Sequence, residues 1–157
     1  MTAITCKRNV QLIDVRSESM TGTYGFLSNV FRTLSDRCIS ADVLASSEVS
    51  VSFTLDRKQD PTLVKAAVQH ISENYAEDIC VRNHMAILTL IADISRSSEV
   101  LSKVFTYLND AGINVEMMSQ GASKVNISFV LRDDEVEDTV KGLHRQFFEL
   151  SGMDGKI

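Results

Sequence analysis

The chain contains two copies of one sequence pattern, and this internal repeat limits its fold more than any other feature. Ile39-Ser40-Ala41-Asp42-Val43 recurs in the second half of the chain as Ile113-Asn114-Val115-Glu116-Met117. Val51-Ser52-Phe53-Thr54-Leu55 recurs as Ile127-Ser128-Phe129-Val130-Leu131. The second copy has gained two residues between these strings, and we place them in a turn at Gly121-Ala122. Two copies of one supersecondary unit predict two small domains of the same fold.

The spacing of apolar residues predicts the order βαββαβ in each copy. Apolar residues that alternate with polar ones indicate half-buried strands, and those at intervals of three and four indicate helices. Asp60 and Pro61 suit the N-cap and the first position of a helix. The first copy thus has a predicted strand at Leu12–Val15, a helix carrying Leu27, Val30, Phe31 and Leu34, strands at Ala41–Ala45 and Val49–Leu55, a helix carrying Leu63, Val64, Ala67, Val68 and Ile71, and a strand at Ile79–Val81.

The second copy lacks a strand at its end. The tail from Ser151 has no strand pattern, whereas Ala3–Lys7 does, so we expect this N-terminal segment to complete the second sheet as an antiparallel strand. Asp134, followed by Glu137, predicts a capping box at the start of the last helix. The other predicted elements are a strand at Ile87–Ile91, a helix carrying Val100, Leu101, Val104, Phe105 and Leu108, strands at Val115–Met118 and Val125–Leu131, and a helix carrying Val136, Val140, Leu143 and Phe147.

Each predicted helix has a single apolar stripe, so each must cover one face of a sheet. The expected fold class is α+β, with two ferredoxin-like βαββαβ domains whose antiparallel sheets carry helices on one face. The first domain is expected at residues 9–83. The second is expected to combine residues 1–8 with residues 84–150, followed by a tail at 151–157, so that the first domain is inserted within the second.

Composition argues against several classes of function. The formal net charge is −5 and no basic stripe occurs, which disfavours binding of a nucleic-acid backbone. No apolar stretch of about 18 residues is present, so we expect no membrane span. The first residues lack a signal-peptide pattern. Cys6, Cys38 and Cys80 form no CxxC pair, and we expect them to be buried, reduced thiols in a cytoplasmic protein.

We find no catalytic or metal-binding constellation and expect no cofactor. His70, His84 and His144 are not joined by a metal-binding spacing, and Asp133-Asp134-Glu135 suits a solvated helix start. Gly121-Ala122-Ser123-Lys124 lacks the spaced glycines of a phosphate loop. A hydrolase of the acylphosphatase type would need an Arg in its phosphate loop. An RNA-binding module of this topology would need exposed aromatic residues and a basic face.

One segment has the chemistry of a ligand site. Thr21–Gly25 is a glycine-bearing turn that leads into a helix, and a helix start presents free N–H groups to a carboxylate. Asp42 at a strand start and Glu48 at a turn are expected nearby, where either could hold an ammonium group. These groups together suit a zwitterionic amino acid with a cationic side chain. In the alternative reading, Gly22 and Gly25 only permit a tight turn, and the two acids are surface charges.

Several strings of the sequence resemble the regulatory region of aspartate kinases. That region consists of two ACT domains, and the resemblance covers the chain up to about Leu150. It rests on Gly25-Phe26-Leu27, Ile39-Ser40-Ala41-Asp42, Ser46-Ser47-Glu48-Val49-Ser50 and Phe53-Thr54-Leu55-Asp56 for the first domain, on Ser119-Gln120-Gly121-Ala122-Ser123-Lys124-Val125-Asn126-Ile127-Ser128 for the second, and on Ile4-Thr5-Cys6-Lys7-Arg8-Asn9-Val10 for the segment that precedes them.

The resemblance implies an allosteric function. Aspartate kinases transfer phosphate from ATP to the side-chain carboxylate of aspartate, the first step toward lysine, threonine and methionine. Their catalytic lobe has no counterpart in this chain, so we expect no enzyme activity from it. The implied partners are an amino-acid effector, lysine with threonine as the alternative, a kinase domain in the parent protein and a second copy of the chain in a homodimer. A separately acting sensor or regulatory subunit with another amino-acid effector is the alternative function.

In the family the effector lies between ACT domains of two chains, and the resemblance carries site residues over to matching positions. The second domain has Val100-Leu101 in place of the Gly-Phe-Leu string, so it is expected to support the interface through Gln120 and Asn126. The implied effector-binding residues are Met20, Tyr24, Gly25, Phe26, Leu27, Ser40, Ala41, Asp42, Ser46, Ser47 and Glu48.

Overall fold

The computed structural model describes residues 3–18, 24–92, 97–121 and 126–149. The expected tail at 151–157 lies outside these ranges. The secondary-structure elements, in chain order, are β1 (Ala3–Arg16), α1 (Phe26–Ser35), β2 (Ala41–Ser46), β3 (Ser50–Asp56), α2 (Pro61–Asn74), β4 (Asp78–Ile91), α3 (Ser97–Asp110), β5 (Met117–Gln120), β6 (Asn126–Arg132), α4 (Val136–His144) and a π-helical segment (Arg145–Glu149).

These elements form two compact units, which we call the first and the second unit. The first unit is Asn9–Asn83, and the second combines Met1–Arg8 with His84–Ile157. The long strands β1 and β4 each contribute one part to each unit. The strand order is β2-β3-β1-β4 in the first unit and β1-β4-β6-β5 in the second. Within the described residues, no helix is long and apolar enough to cross a lipid bilayer.

The core of the first unit is built on β3. This strand pairs antiparallel with β1, from Val10 opposite Asp56 to Arg16 opposite Ser50. The predicted alternation of its apolar residues is confirmed, because Val51, Phe53 and Leu55 are fully buried under the helices. Complete burial of each such side chain contributes roughly 1.5–3 kcal/mol. The helix residues that close this core are Phe26, Val30 and Leu34 of α1 and Val64, Ala67 and Ile71 of α2.

The second unit repeats this core with its own residues. Ile127, Phe129 and Leu131 of β6 are fully buried, and α3 and α4 cover them. Ile4 of β1 packs against the same cluster. Arg8, also in β1, donates from Nη2 to Oδ2 of Asp133 at 2.9 Å. This hydrogen bond raises the pKa of Arg8.

Of the two predicted helix caps, one is confirmed and one is wrong. Oδ1 of Asp60 accepts from the backbone N–H of Thr62 at 2.8 Å, with Pro61 as the first residue of α2. The capping box at Asp134 does not form, because α4 begins two residues later and Glu135 holds the N-cap position without a side-chain cap. Asp134 instead accepts a hydrogen bond from Arg132. Glu137 accepts one from Lys141, which lowers the pKa of Glu137.

The expectation of buried cysteines is wrong. Cys6, Cys38 and Cys80 are all exposed and carry free thiols. Cys80 follows Ile79, which packs against the first core. Successive side chains of a strand point to opposite faces, so Cys80 points away from that core. Cys38 lies in the turn after α1, which ends at Ser35.

Cys38 ends α1 in a conformation that favours glycine. Its φ is 55°, and the next N–H, that of Ile39, bonds back to the carbonyl of Leu34 at 3.0 Å. The second unit makes the same motif with glycine. Gly112, the counterpart of Cys38 in the repeat, has a φ of 67°, and Ile113 N–H bonds to Leu108 O at 2.9 Å. Both are left-handed helix C-caps of the Schellman type.

We therefore predict that Cys38→Gly stabilises the first unit. Left-handed backbone disfavours a residue with a Cβ by roughly 1–2 kcal/mol, and the greater entropy of an unfolded glycine offsets part of this gain. Chemical denaturation should show an increase of up to about 1 kcal/mol. The reciprocal variant Gly112→Cys should lose stability by a similar amount. Destabilisation by Cys38→Gly would contradict the assignment of strain to this position.

Candidate functional site

The start of α1 is shaped as an anion-binding helix terminus. Gly25 is the N-cap residue, with a φ of 94° and no capping side chain, and its carbonyl accepts from Asn29 N–H at 2.9 Å. The first N–H groups of a helix have no partner inside the helix and mark its positive end. No acidic residue lies in the first turn of α1. Phe26 is buried and anchors the helix, whereas Tyr24 is fully exposed and Leu27 is partly exposed.

The matching helix of the second unit is already supplied with a negative charge. When the two copies are aligned on Ile39 and Ile113, Glu99 corresponds to Gly25. Because α3 begins at Ser97, Glu99 lies in its first turn, where it also forms an ion pair with Lys103 at 3.2 Å. A carboxylate in the first turn neutralises the positive helix end and repels a ligand carboxylate. The two copies therefore differ, and the first is the one suited to a carboxylate ligand.

The turn between β2 and β3 is hydrogen-bonded to the residue that follows β1. Ser47 N–H donates to Ser50 O at 2.9 Å, and Ser17 N–H donates to Val49 O at 2.8 Å. The hydroxyl groups of Ser47 and Ser50 are also hydrogen-bonded, at 2.8 Å. Glu48 lies exposed within this turn. Because α1 follows the end of β1 and runs back toward the start of β2, Glu48 and the start of α1 belong to the same end of the sheet.

Asp42 lies at the other end of β2, and the expectation that a single chain brings it near the start of α1 is wrong. Ala41 pairs with Leu55, whereas Ser46 pairs with Val51 at the opposite end of the strand. A strand advances about 3.3 Å per residue, so six residues separate Asp42 from the Glu48 turn by roughly 15–20 Å. One chain therefore provides the helix start and Glu48 at one place and Asp42 at another.

The remaining predicted residues fall into three groups. Met20 lies outside the described residues. Ser40, Ser46 and Ser47 are exposed, and Ala41 packs partly against the first core. Gln120 ends β5 and Asn126 begins β6, and both are exposed within the second unit. Their predicted role beside the first domain's site stays a prediction.

Sequence reasoning missed Thr54, a fully buried polar residue opposite the start of β2. Its Oγ1 accepts from Val43 N–H at 3.1 Å. The available signal was the repeat itself, because the second copy has Val130 at the matching position. Among the described residues no cluster of three or more His, Cys, Asp or Glu side chains could hold a metal ion. A groove of about 280 Å³ between α3 and α4 contains none of the predicted site residues.

Comparison with known proteins identifies the fold class. The model of the ACT domain family matches residues 92–147. The regulatory subunit of aspartate kinase from Thermus thermophilus superimposes with a TM-score of 0.78 at 19% identity, over 93% of this chain and 97% of that one. The chain thus has the ACT-type fold: two ferredoxin-like α+β domains, each an antiparallel sheet with helices on one face.

Other proteins are more similar to the chain in sequence, and these are aspartokinases. Aspartokinase 3, chloroplastic, of Arabidopsis thaliana is 47% identical over 155 residues, which are 95% of this chain and 27% of the relative. Aspartokinase of Candida albicans is 31% identical over 150 residues, which are 94% of this chain and 27% of the relative. Escherichia coli aspartokinase III in complex with lysine and aspartate has a TM-score of 0.78 and 33% identity, over 94% of this chain and 33% of that one.

Over nearly its whole length the chain is therefore similar to part of these aspartokinases, and it has the fold of the regulatory subunit of aspartate kinase. It spans 27% of the length of the Arabidopsis and Candida relatives. Since the Arabidopsis relative is named as chloroplastic, the cytoplasmic location expected from the sequence stays a prediction.

We predict that Gly25→Ala destabilises the start of α1. Among the described residues, no atom beyond its chain neighbours lies within 4 Å of an added Cβ, so the effect reports on the backbone conformation at a φ of +94°. The expected loss is about 1 kcal/mol, measured by chemical denaturation and by faster hydrogen exchange in the first turns of α1. Ser28→Ala, an exposed change in the same helix, should stay within about 0.5 kcal/mol of the parent. Equal stability of the parent and Gly25→Ala would contradict the strained N-cap.

Proposed function

We propose that this chain is the amino-acid-sensing region through which an aspartate kinase receives feedback control, with lysine as the effector and threonine as the alternative. The observation that carries the proposal is the start of α1, which has no side-chain cap and no acidic residue in its first turn, whereas Glu99 lies in the first turn of α3. The lysine complex of the related E. coli enzyme gives further support. The proposed domain limits are residues 9–83 for the effector-binding domain and residues 1–8 with 84–150 for the second.

The proposed site needs two chains. Among the described strands, β2 lies at the edge of the sheet in the first unit, and an edge strand has backbone groups that can pair with another strand. A two-fold axis perpendicular to the sheet would set two β2 strands antiparallel, since a two-fold interface uses the same surface of both chains. Asp42 of the partner subunit would then approach the Ser46–Glu48 turn and the start of α1. This arrangement unites groups that one chain keeps apart.

Each group has a distinct role in the proposed site. The backbone N–H groups at Gly25-Phe26-Leu27 bind the α-carboxylate of the effector. Glu48 and Asp42 of the partner subunit bind its two ammonium groups by charge-assisted hydrogen bonds. Two acids and one helix end match the charges of lysine, whereas threonine would leave one acid without an ammonium partner.

Control of the kinase follows as a shift between two arrangements of the paired domains. An effector that binds one arrangement more tightly increases the population of that arrangement. The equilibrium between the two arrangements can shift by no more than the ratio of the effector's affinities for them. The catalytic part of the longer protein would be inhibited in the arrangement that lysine favours. Couplings between two sites are typically about 1–3 kcal/mol, a change of about 5–150-fold in affinity.

We predict that lysine stabilises this chain and that both acids are needed. At about a hundred times the dissociation constant, lysine should add roughly 2.7 kcal/mol of stability, visible as a higher melting temperature. Asp42→Asn and Glu48→Gln should each lower the affinity about ten- to hundredfold, since a charge-assisted contact contributes about 1.5–3 kcal/mol. Calorimetric titration gives the affinity.

The repeat provides the matched control for this experiment. Glu116 is the counterpart of Asp42 in the second copy, so Glu116→Gln changes the charge equally and should leave lysine affinity unaltered. If millimolar lysine, threonine and methionine all leave the melting temperature unchanged, the proposed function is wrong. If lysine binds and both Asp42→Asn and Glu48→Gln bind it normally, the assigned roles are wrong.

We also predict a homodimer that forms through β2. Leu44 of β2 is 45% exposed, although it pairs with the fully buried Phe53. Leu44→Lys should weaken the dimer, because a charge on an edge strand opposes pairing with another strand. Leu63→Lys is the control, since Leu63 is similarly exposed, at 41%, but lies on α2. Sedimentation equilibrium at tens of micromolar measures the dissociation constant; a parent chain that is monomeric with and without lysine refutes the prediction.

A further inference from the structure

The start of β2 contains one residue more than the strand beside it. Ala41 pairs with Leu55 and Leu44 pairs with Phe53, so Asp42 and Val43 together lie opposite the single residue Thr54. This is a β-bulge, which bends a strand locally and redirects a side chain. Within this bulge, Val43 N–H donates to the side-chain Oγ1 of Thr54 at 3.1 Å.

The bulge decides where the Asp42 carboxylate points. If β2 had no bulge, the pairing of Leu44 with Phe53 would continue in regular register and place Asp42 opposite Leu55. Leu55 faces the helix-covered core. A register change of one residue moves every side chain of a strand to the other face. With the bulge, Ala41 takes the core position and packs partly against the cluster, whereas Asp42 is exposed. The extra residue therefore keeps a carboxylate out of the core and directs it outward.

The second copy lacks the side-chain hydroxyl at this place. Val130 corresponds to Thr54 and cannot accept a hydrogen bond through its side chain. There, Met117 is the counterpart of Val43 and pairs with Val130. Glu116, the counterpart of Asp42, donates its backbone N–H to the carbonyl of Val130 at 2.9 Å. The bond between a backbone N–H and a threonine hydroxyl is thus specific to the copy that has the open helix start.

We infer that Thr54 is a positioning residue for effector binding: its hydroxyl holds the Val43 amide, fixes the bulge and so orients the carboxylate of Asp42. The inference rests on the proposed amino-acid site. Thr54 itself is fully buried, so it acts on a ligand through Asp42 and does not touch it. Without the hydroxyl, the partly buried Val43 N–H loses its hydrogen bond to Thr54, and loss of a buried hydrogen bond favours rearrangement of the bulge.

The test measures lysine affinity by calorimetric titration of the full chain and of single and double variants. Thr54→Val keeps the shape and removes the hydroxyl, and it should weaken lysine binding roughly three- to tenfold. Thr54→Ser restores a hydroxyl and should bind within about twofold of the parent. Thr89→Val is the matched control, because Thr89 is a strand residue of the second unit whose hydroxyl bonds to that of Ser128; its affinity should be unchanged.

A double variant separates positioning from general destabilisation. If Thr54 acts only through Asp42, then Asp42→Asn combined with Thr54→Val should bind lysine no more weakly than Asp42→Asn alone, because losses through a shared group are not additive. Hydrogen exchange at the Val43 amide should also accelerate in Thr54→Val. If Thr54→Val does not fold, Thr54→Ala replaces it in both measurements.

The outcomes distinguish this inference from the function on which it rests. A parent chain that binds none of the twenty amino acids overturns the proposed function and the inference together. The inference alone is overturned if the parent binds lysine, Asp42→Asn weakens this binding, and Thr54→Val binds lysine normally. Fully additive losses in the double variant, or an unchanged exchange rate at Val43, also overturn it.

Discussion

The first unit depends on the one-sided burial of β3. Val51, Phe53 and Leu55 face the helices and are fully buried, and their period of two fixes the register of β1 on one side and of β2 on the other. Any residue added to a neighbouring strand must then be absorbed locally, since a shift of the whole strand would expose its apolar side. The bulge at Asp42 is such a local solution. It allows a charged residue within an otherwise regular strand without placing its carboxylate under the helices.

The two units share this frame and differ where ligand chemistry could arise. Gly25 and Glu99 occupy matching positions at a helix start, and Thr54 and Val130 occupy matching positions in the sheet. At the helix start, Gly25 leaves the positive end without a charged side chain, whereas Glu99 neutralises it. In the sheet, Thr54 provides a hydroxyl group that accepts a hydrogen bond, whereas Val130 provides only an apolar side chain. The fold requires neither difference, because both cores close with equivalent apolar rows. These departures from the repeat therefore indicate function better than the shared pattern of the two copies does.

The sequence predicted the parts of the structure that periodicity controls. The alternating rows at Val51–Leu55 and Ile127–Leu131 predicted two buried strands, and the Asp60-Pro61 pair predicted the start of α2. The local pattern at Asp134 predicted a cap that does not form, because it does not show that Asp134 and Glu137 instead accept hydrogen bonds from Arg132 and Lys141. The bulge was also beyond reach, since one extra residue leaves the polar and apolar pattern of β2 compatible with either register. The separation of Asp42 from Glu48 could be predicted from the sequence, because it follows from the length of β2 between these two residues.

A site divided between two chains has a thermodynamic consequence. If Asp42 reaches the effector only from the partner subunit, a monomer offers the helix start and Glu48 and lacks one ammonium-binding group. The effector would then bind the pair more tightly than the monomer, and by linkage it must strengthen the pairing by the same factor. Its binding free energy thus becomes available to select one arrangement of the two chains. Within a single rigid domain the same contacts would increase affinity equally in both arrangements, and an effector with equal affinity for two states shifts neither. Asp42 and Glu48 are too far apart to form a site within one chain. For this reason their spacing suits a regulatory site that forms between two chains.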